Sequence, residues 1–294
     1  MKRIVWQLFL LVSAISVLCL AYGFLIEPRL LKVRQIHVGP PHWSEAPIRI
    51  AIISDIHMGG FHVGEKRVRK IIQTLNRQNA DMIIIAGDFI SGHDPRSKRN
   101  DAFNDEILRG LTAFGALSAP LGVYASMGNH DAWYDGAYIA QTLRGVGLTV
   151  LNNEAHINEE HNLCIVGLED EWTGKPSVEV FNACSKDSKI IAFMHSPDSF
   201  EKVPRRTRIA FAGHTHGGQI NLPENGQDQL GAMSDTVLFT YPQDDHNAEE
   251  SVTIASLIEP QLKAIQSIRR GSTKQEIHTN GYSVLKAFFK EGGT

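Results

Sequence analysis

Apolar residues are distributed along this chain in three different ways. Residues 4–26 are apolar almost without interruption. Between residues 48 and 211, short apolar runs alternate with segments whose apolar residues recur every three or four positions. The runs 48–53, 82–85 and 122–126 predict buried strands. Residues 66–79, with Val68, Ile71, Ile72 and Leu75 on one face, and 101–117, with Ile107, Leu108, Leu111 and Phe114, predict helices. Strands alternating with helices imply crossover units and a parallel or mixed sheet. The later runs 149–151, 163–166, 190–193 and 208–211 predict a second sheet, giving an α/β sandwich of two β-sheets flanked by helices. Past Pro223 the pattern changes. Residues 224–231 read as a polar loop, 252–270 as a helix from the spacing of Ile254, Leu257, Ile258, Leu262, Ile265 and Ile268, and 282–290 as a further short helix.

The first apolar stretch follows Lys2 and Arg3 and is long enough to cross a bilayer, since about 20 residues at 1.5 Å rise span the hydrocarbon core. A cleaved signal would have a shorter apolar centre and a small-x-small site, and Cys19-Leu20-Ala21 is a poor one. The reading is a single-pass N-terminal transmembrane helix, with Trp6 and Tyr22 near the two interfaces. Basic residues flank both ends, Lys2 and Arg3 against Arg29, Lys32 and Arg34, so charge leans only slightly toward a cytoplasmic body. The organisation expected is a transmembrane anchor over 1–28, a linker over 29–47 containing Gly39-Pro40-Pro41, a main domain over 48–223 and an extension over 224–294.

A net charge of −3 over 294 residues, with no basic tract in the body, gives no electrostatic footprint for nucleic acid. The three cysteines form no C-x-x-C pair, which removes zinc ribbons and thioredoxin-type redox motifs. Cys164 and Cys184 sit in or beside apolar segments and are expected as buried thiols rather than as a disulfide.

Chemistry concentrates where the apolar runs end. Asp55 and His57, Gly87-Asp88, Gly128-Asn129-His130-Asp131, His195, and Gly213-His214-Thr215-His216 each close such a run. Ligands of α/β sheets gather beyond the carboxyl ends of the strands, so these separated segments are expected to converge. They supply carboxylates, an amide oxygen and several imidazoles without thiolate, a set suited to Mn, Fe, Zn or Mg. Asp88 is the natural bridge, because a carboxylate has lone pairs enough for two cations.

In order and spelling, D-x-H, GD, GNHD, H and GHTHGGQ, these segments resemble the calcineurin-like metallophosphoesterases over about residues 48–223. The resemblance implies that family's four-layer sandwich and two divalent cations, of which manganese is the preferred choice. One cation would take Asp55, His57, Asp88 and His216; the other Asp88, Asn129, His195 and His214. His130 would face the phosphate and the leaving oxygen, with Asp131 orienting the ring, and a cation-held water would attack the phosphorus. The GHTHGGQ spelling and the apolar leader look most like a membrane-associated bacterial branch, which includes phosphodiesterases and enzymes cleaving UDP-2,3-diacylglucosamine in lipid A synthesis. The expectation is therefore a phosphohydrolase of the bacterial inner (plasma) membrane acting on a phosphorylated substrate, with a lipid-linked one as the specific reading. The alternatives are a general membrane or cell-surface phosphodiesterase and a non-catalytic interaction module on the same fold.

Overall fold

The computed structural model describes residues 2–26, 29–38, 47–216, 238–240, 252–258, 276–279 and 283–286. The leader is helical, α1 (Lys2–Ala21) continuing into a π-helical segment, Tyr22–Ile26. None of its side chains is buried against the body, and the span Lys2–Ile26 is long and apolar enough to cross a membrane.

The first half of the body runs β1 (Lys32–Val38), β2 (Arg49–Ile53), α2 (Glu65–Asn76), β3 (Met82–Ala86), α3 (Asp101–Ala113), β4 (Val123–Ser126), α4 (Asn129–Gly145) and β5 (Thr149–Val150). The second runs β6 (Glu154–Asn158), β7 (Leu163–Gly167), β8 (Lys189–Met194), β9 (Thr207–Ala212), β10 (Leu238–Thr240), β11 (Val252–Ile258), β12 (Glu276–Thr279) and β13 (Ser283–Lys286). One sheet has the order β1-β11-β2-β3-β4-β5, parallel except for β1; the other has the order β10-β9-β8-β7-β6, with antiparallel strands at its two edges.

The period-two alternation of strand side chains builds the layers. Ile50, Ile52, Met82, Ile84 and Tyr124 of the first sheet meet Ile165, Ile191, Phe193, Ile209 and Phe211 of the second in one buried cluster. The intervening residues Ala51, Ile53, Ile83 and Ile85 face α2, α3 and α4, where Val68, Ile71, Ile72, Leu75, Ile107, Leu111, Ile139 and Leu143 cover them. On the outer face of the second sheet, Val166, Ala192, Met194 and Ala210 pack with Phe181 of a 3-10 helix, Val178–Ala183. Each large aliphatic side chain withdrawn from water in this way contributes about 1.5–3 kcal/mol.

Several expectations are corrected. Residues 149–151 were assigned to the second sheet, but β5 pairs with β4 in the first. The segment expected as linker contains a strand, β1. The helix expected over 252–270 begins instead as a strand: β11 lies between β1 and β2, with Thr253 opposite Arg49 and Ser256 opposite Ile52. An apolar run of this length suits a buried parallel strand as well as a helix, and periodicity alone does not separate them. Residues 259–270 lie outside the described residues. The helix expected over 282–290 is likewise replaced, over Ser283–Lys286, by the hairpin strand β13. Helix α4 escaped notice because its apolar positions are sparse and Asp135 (φ −179°, ψ 80°) interrupts its helical geometry.

Cys164 and Cys184 are joined in a disulfide, contrary to the expected thiols. Cys164 points to the outer face of β7, and the 3-10 helix returns across that face to bring the two Cα atoms to 5.7 Å. Sequence separation carries no sign of that return. In the chain-entropy picture, closing a loop of this size stabilises the fold by about 3 kcal/mol.

Candidate metal centre

All five segments meet at the carboxyl edge shared by the two sheets. Asp55 follows β2, Asp88 follows β3, Asn129 opens α4 after β4, His195 follows β8 and His214 follows β9, each within one to three residues of the strand end. The turns needed there are severe. Among the described residues, every residue with positive φ that is neither glycine nor asparagine belongs to the candidate set: Asp55 (56°), His57 (49°), Asp88 (54°), His214 (70°) and His216 (47°). Such conformations cost about 1–3 kcal/mol each and persist where the surroundings impose them. Gly128 is required by close approach, since a Cβ there would lie 2.2 Å from Asp88 Oδ1.

The side chains form two groups that share Asp88. In one, His57 Nε2 is 3.1 Å from His216 Nε2 and 3.7 Å from Asp88 Oδ2, while His216 Nε2 is 3.5 Å from Asp55 Oδ1. In the other, His195 Nε2 is 3.1 Å from Asp88 Oδ2, from Asn129 Oδ1 and from His214 Nδ1. Asp55, His57 and His216, and separately Asp88, His195 and His214, bring ligand atoms within 4.8 Å of one another. Backbone bonds brace the arrangement. The His214 amide donates to Asp55, the His130 amide donates to Asp88 Oδ1, and Ser54 Oγ donates to the Ala86 carbonyl.

This donor set fits a cation. His195 is fully buried and its Nδ1 lies 2.8 Å from the Ala86 carbonyl, a contact that requires the N–H on Nδ1. Nε2 of the neutral ring then turns a lone pair toward Asp88 Oδ2 and Asn129 Oδ1, which offer lone pairs in return. Without a cation, a proton must fill that gap. Burial opposes charge on His195, but the Asp88 carboxylate, its hydrogen bond and the Asp55 charge outweigh it and push the imidazole up to about 10. Burial would likewise raise Asp88, yet His195, His57 and His130 hold it well below the usual carboxylate range. His57 is lowered to about 4, chiefly by burial, and His214 is lowered first by burial and then by His195. Both shifts favour the neutral imidazole, the form that coordinates a cation.

His130 stands apart. Its Nδ1 is 2.9 Å from the Gly92 carbonyl, and its ring meets those of His57, His93 and Trp133 at centroid distances of 4.8, 5.0 and 4.8 Å. One ring nitrogen also falls within ligand distance of His57 and Asp88. Asp131 does not orient this ring, contrary to expectation. Its carboxylate is fully buried and accepts from the Gly128 and Ile90 amides, so it caps α4 and ties that helix to the loop after β3. Burial and the Asp88 charge push Asp131 up to about 8, against those two donors. An aspartate at the third residue of a helix often turns back to the capping amide, the signal that would have separated it from His130.

Sequence reasoning passed over the aromatic residues around the centre. Trp133 flanks His130 and His93, Trp172 lies 5.7 Å from His214, and Phe61 follows the turn in which the Gly60 amide donates to the His57 carbonyl. A cavity of about 510 Å³ opens beside Gly128, lined in part by Asn152, Glu169 and Asp170.

Two packed sheets flanked by helices, with carboxylates and imidazoles gathered at their carboxyl edge, define a metallophosphoesterase-type scaffold. The family model for calcineurin-like phosphoesterases matches residues 48–218, more than half of the chain, and the chain belongs to that family. It is 30% identical over 190 residues to the phosphodiesterase YaeI of Escherichia coli, a match covering 63% of this chain and 66% of that protein. It is 27% identical over 214 residues to the uncharacterized metallophosphoesterase YkuE of Bacillus subtilis, covering 70% and 71%. A transmembrane protein with a metallophosphoesterase domain from Danio rerio is 24% identical over 197 residues, 59% of this chain and 41% of that protein. The chain spans about two fifths of the length of the animal relatives it matches, 37% and 41%.

The protonated His195 generates a pH prediction. Its raised pKa means that, in chelator, the His195–Asp88 pair stabilises the fold fully below about pH 6.5 and loses that contribution as pH rises through about 10. A cation replaces the proton, so manganese should raise the melting temperature more at the alkaline end of this range than at the acid end. A manganese effect that shrinks with rising pH would contradict the assignment.

Proposed function

We propose that the chain is a dinuclear-metal phosphohydrolase cleaving a phosphodiester or pyrophosphate bond. The observation that carries this reading is the sharing of Asp88 between two groups of converging carboxylate, imidazole and amide ligand atoms. When bound, two divalent cations would activate a water and hold the phosphoryl oxygens during in-line displacement. Asp55, His57, Asp88 and His216 would hold one; Asp88, Asn129, His195 and His214 the other. This mixed imidazole, carboxylate and amide set suits Mn, Fe, Zn or Mg, of which manganese is our choice. His130, whose Nδ1–H donates to the Gly92 carbonyl, would present Nε2 to the leaving oxygen and, carrying a second proton there, would pass that proton to it. The amide of Asn129 adds a ligand without negative charge beside an anionic substrate.

The substrate expected from the resemblance is UDP-2,3-diacylglucosamine. UMP release in the presence of manganese identifies that activity, and its absence leaves the general phosphodiesterase, the activity named for the Escherichia coli relative. The leader supports membrane anchoring of the main domain. The disulfide, more than the near-balanced flanking charges, bears on the side: structural disulfides persist in oxidising compartments, which favours a body outside the cytoplasm.

His130→Ala should keep its metal and lose about 10²–10⁴-fold in rate on a poor leaving group, with a smaller loss on p-nitrophenyl esters that need no proton. Equal losses on both would assign the ring to phosphate binding instead. For the topology, alkylation in acid-quenched membranes should leave Cys164 and Cys184 unmodified until a reductant is added. Immediate modification of both would place the body in the cytoplasm.

A further inference from the structure

The register of the first sheet fixes where the leader meets the body. β11 runs parallel to β2 with Ser256 opposite Ile52, so Ile258 stands level with Ser54, next to Asp55. β1 is antiparallel to β11 and pairs Lys32 with Ile258. The first residue of β1 therefore lies at the carboxyl edge of the sheet, the edge that carries the metal centre. Only residues 27–31 separate it from the end of the leader, a reach of at most about 20 Å. That reach is shortened further, because Arg67 in the first turn of α2 donates to the Arg29 carbonyl and Leu31 packs on the helical-side core. The first turn of α2 stands at the same edge, since it follows the loop leaving β2.

The same edge displays side chains suited to a bilayer surface. Phe61 is 89% and Trp172 67% exposed, an unusual state for large aromatic residues in a folded body. They flank the centre on the His57 and His214 sides. Arg29, Lys32 and Lys66 are exposed at the same edge. Aromatic rings settle at the headgroup level of a membrane, and basic side chains near it are drawn to anionic lipids.

From this juxtaposition we propose that the mouth of the metal centre faces the bilayer that holds the leader, with Phe61 and Trp172 dipping into the headgroup layer. The substrate class is then a phosphoester carried by a membrane lipid, presented at the height of its headgroup. This deepens the hydrolase reading and rests on it for the substrate, but the placement of the edge stands independently.

Full-length protein carrying Cys19→Ser and either Phe61→Cys or Lys186→Cys, labelled with an environment-sensitive fluorophore, separates the two. Lys186 is exposed just before β8, at the opposite edge of the body. In vesicles of phosphatidylcholine and phosphatidylglycerol containing headgroup-level nitroxide lipid, position 61 should be quenched severalfold more than position 186. Equal quenching, or stronger quenching at 186, would overturn the placement. In the same vesicles Phe61→Asp should lower turnover of a lipid-borne p-nitrophenyl phosphodiester roughly tenfold, the loss expected when one aromatic side chain no longer leaves water. Turnover of soluble bis-p-nitrophenyl phosphate should be unchanged. Equal losses on both substrates would overturn the lipid substrate class. A wild type inert toward both would remove the hydrolase reading, while the quenching still decides which edge meets the membrane.

Discussion

Everything at the functional edge turns on one buried carboxylate. Asp88 is 1% exposed and shares Oδ2 between His195, at 3.1 Å, and His57, at 3.7 Å, while Oδ1 accepts from the His130 amide. A carboxylate buried in this way needs positive charge beside it. The neighbouring imidazoles supply lone pairs unless they carry a proton, and His195 is the one held protonated. Among the described residues, the positive charge this carboxylate needs comes from the His195 ring when it holds a proton. Divalent cations satisfy that requirement and free the ring for coordination.

The strained turns follow from the same demand. Two residues beyond the ends of β2, β3 and β9 the backbone turns left-handed at Asp55, Asp88 and His214, which bends them back over the sheet edge. The stiffness to hold these turns comes from below, where Ile and Phe side chains interlock between the sheets, and from bonds such as His195 Nδ1–H to the Ala86 carbonyl, which links the two sheets. The strand β11 completes the first sheet between β1 and β2 and fixes which edge the leader approaches. The register of the first sheet thereby brings Asp55 and the start of β1 to one edge.

Much of this was legible in the chain itself. The apolar runs at 48–53 and 82–85 appear as β2 and β3 nearly residue for residue, because strands buried on both faces have no polar alternation to blur them. The candidate ligands were legible because each closes such a run. What was not legible depended on distant contacts. β11 owes its strand conformation to the two neighbours it joins, and the Cys164–Cys184 bond to the return of a 3-10 helix across β7. The role of Asp131 was misread because its neighbour in sequence, His130, is not its neighbour in space; the Gly128 and Ile90 amides are.

The most direct test of the shared carboxylate is the anomalous scattering of manganese in crystals of the protein. Two peaks are predicted, one among Asp55, His57 and His216 and one among Asn129, His195 and His214, with Asp88 in contact with both, and both should be lost or depleted in Asp88→Ala. A single peak that does not touch Asp88, or two peaks unchanged by the substitution, would contradict the account.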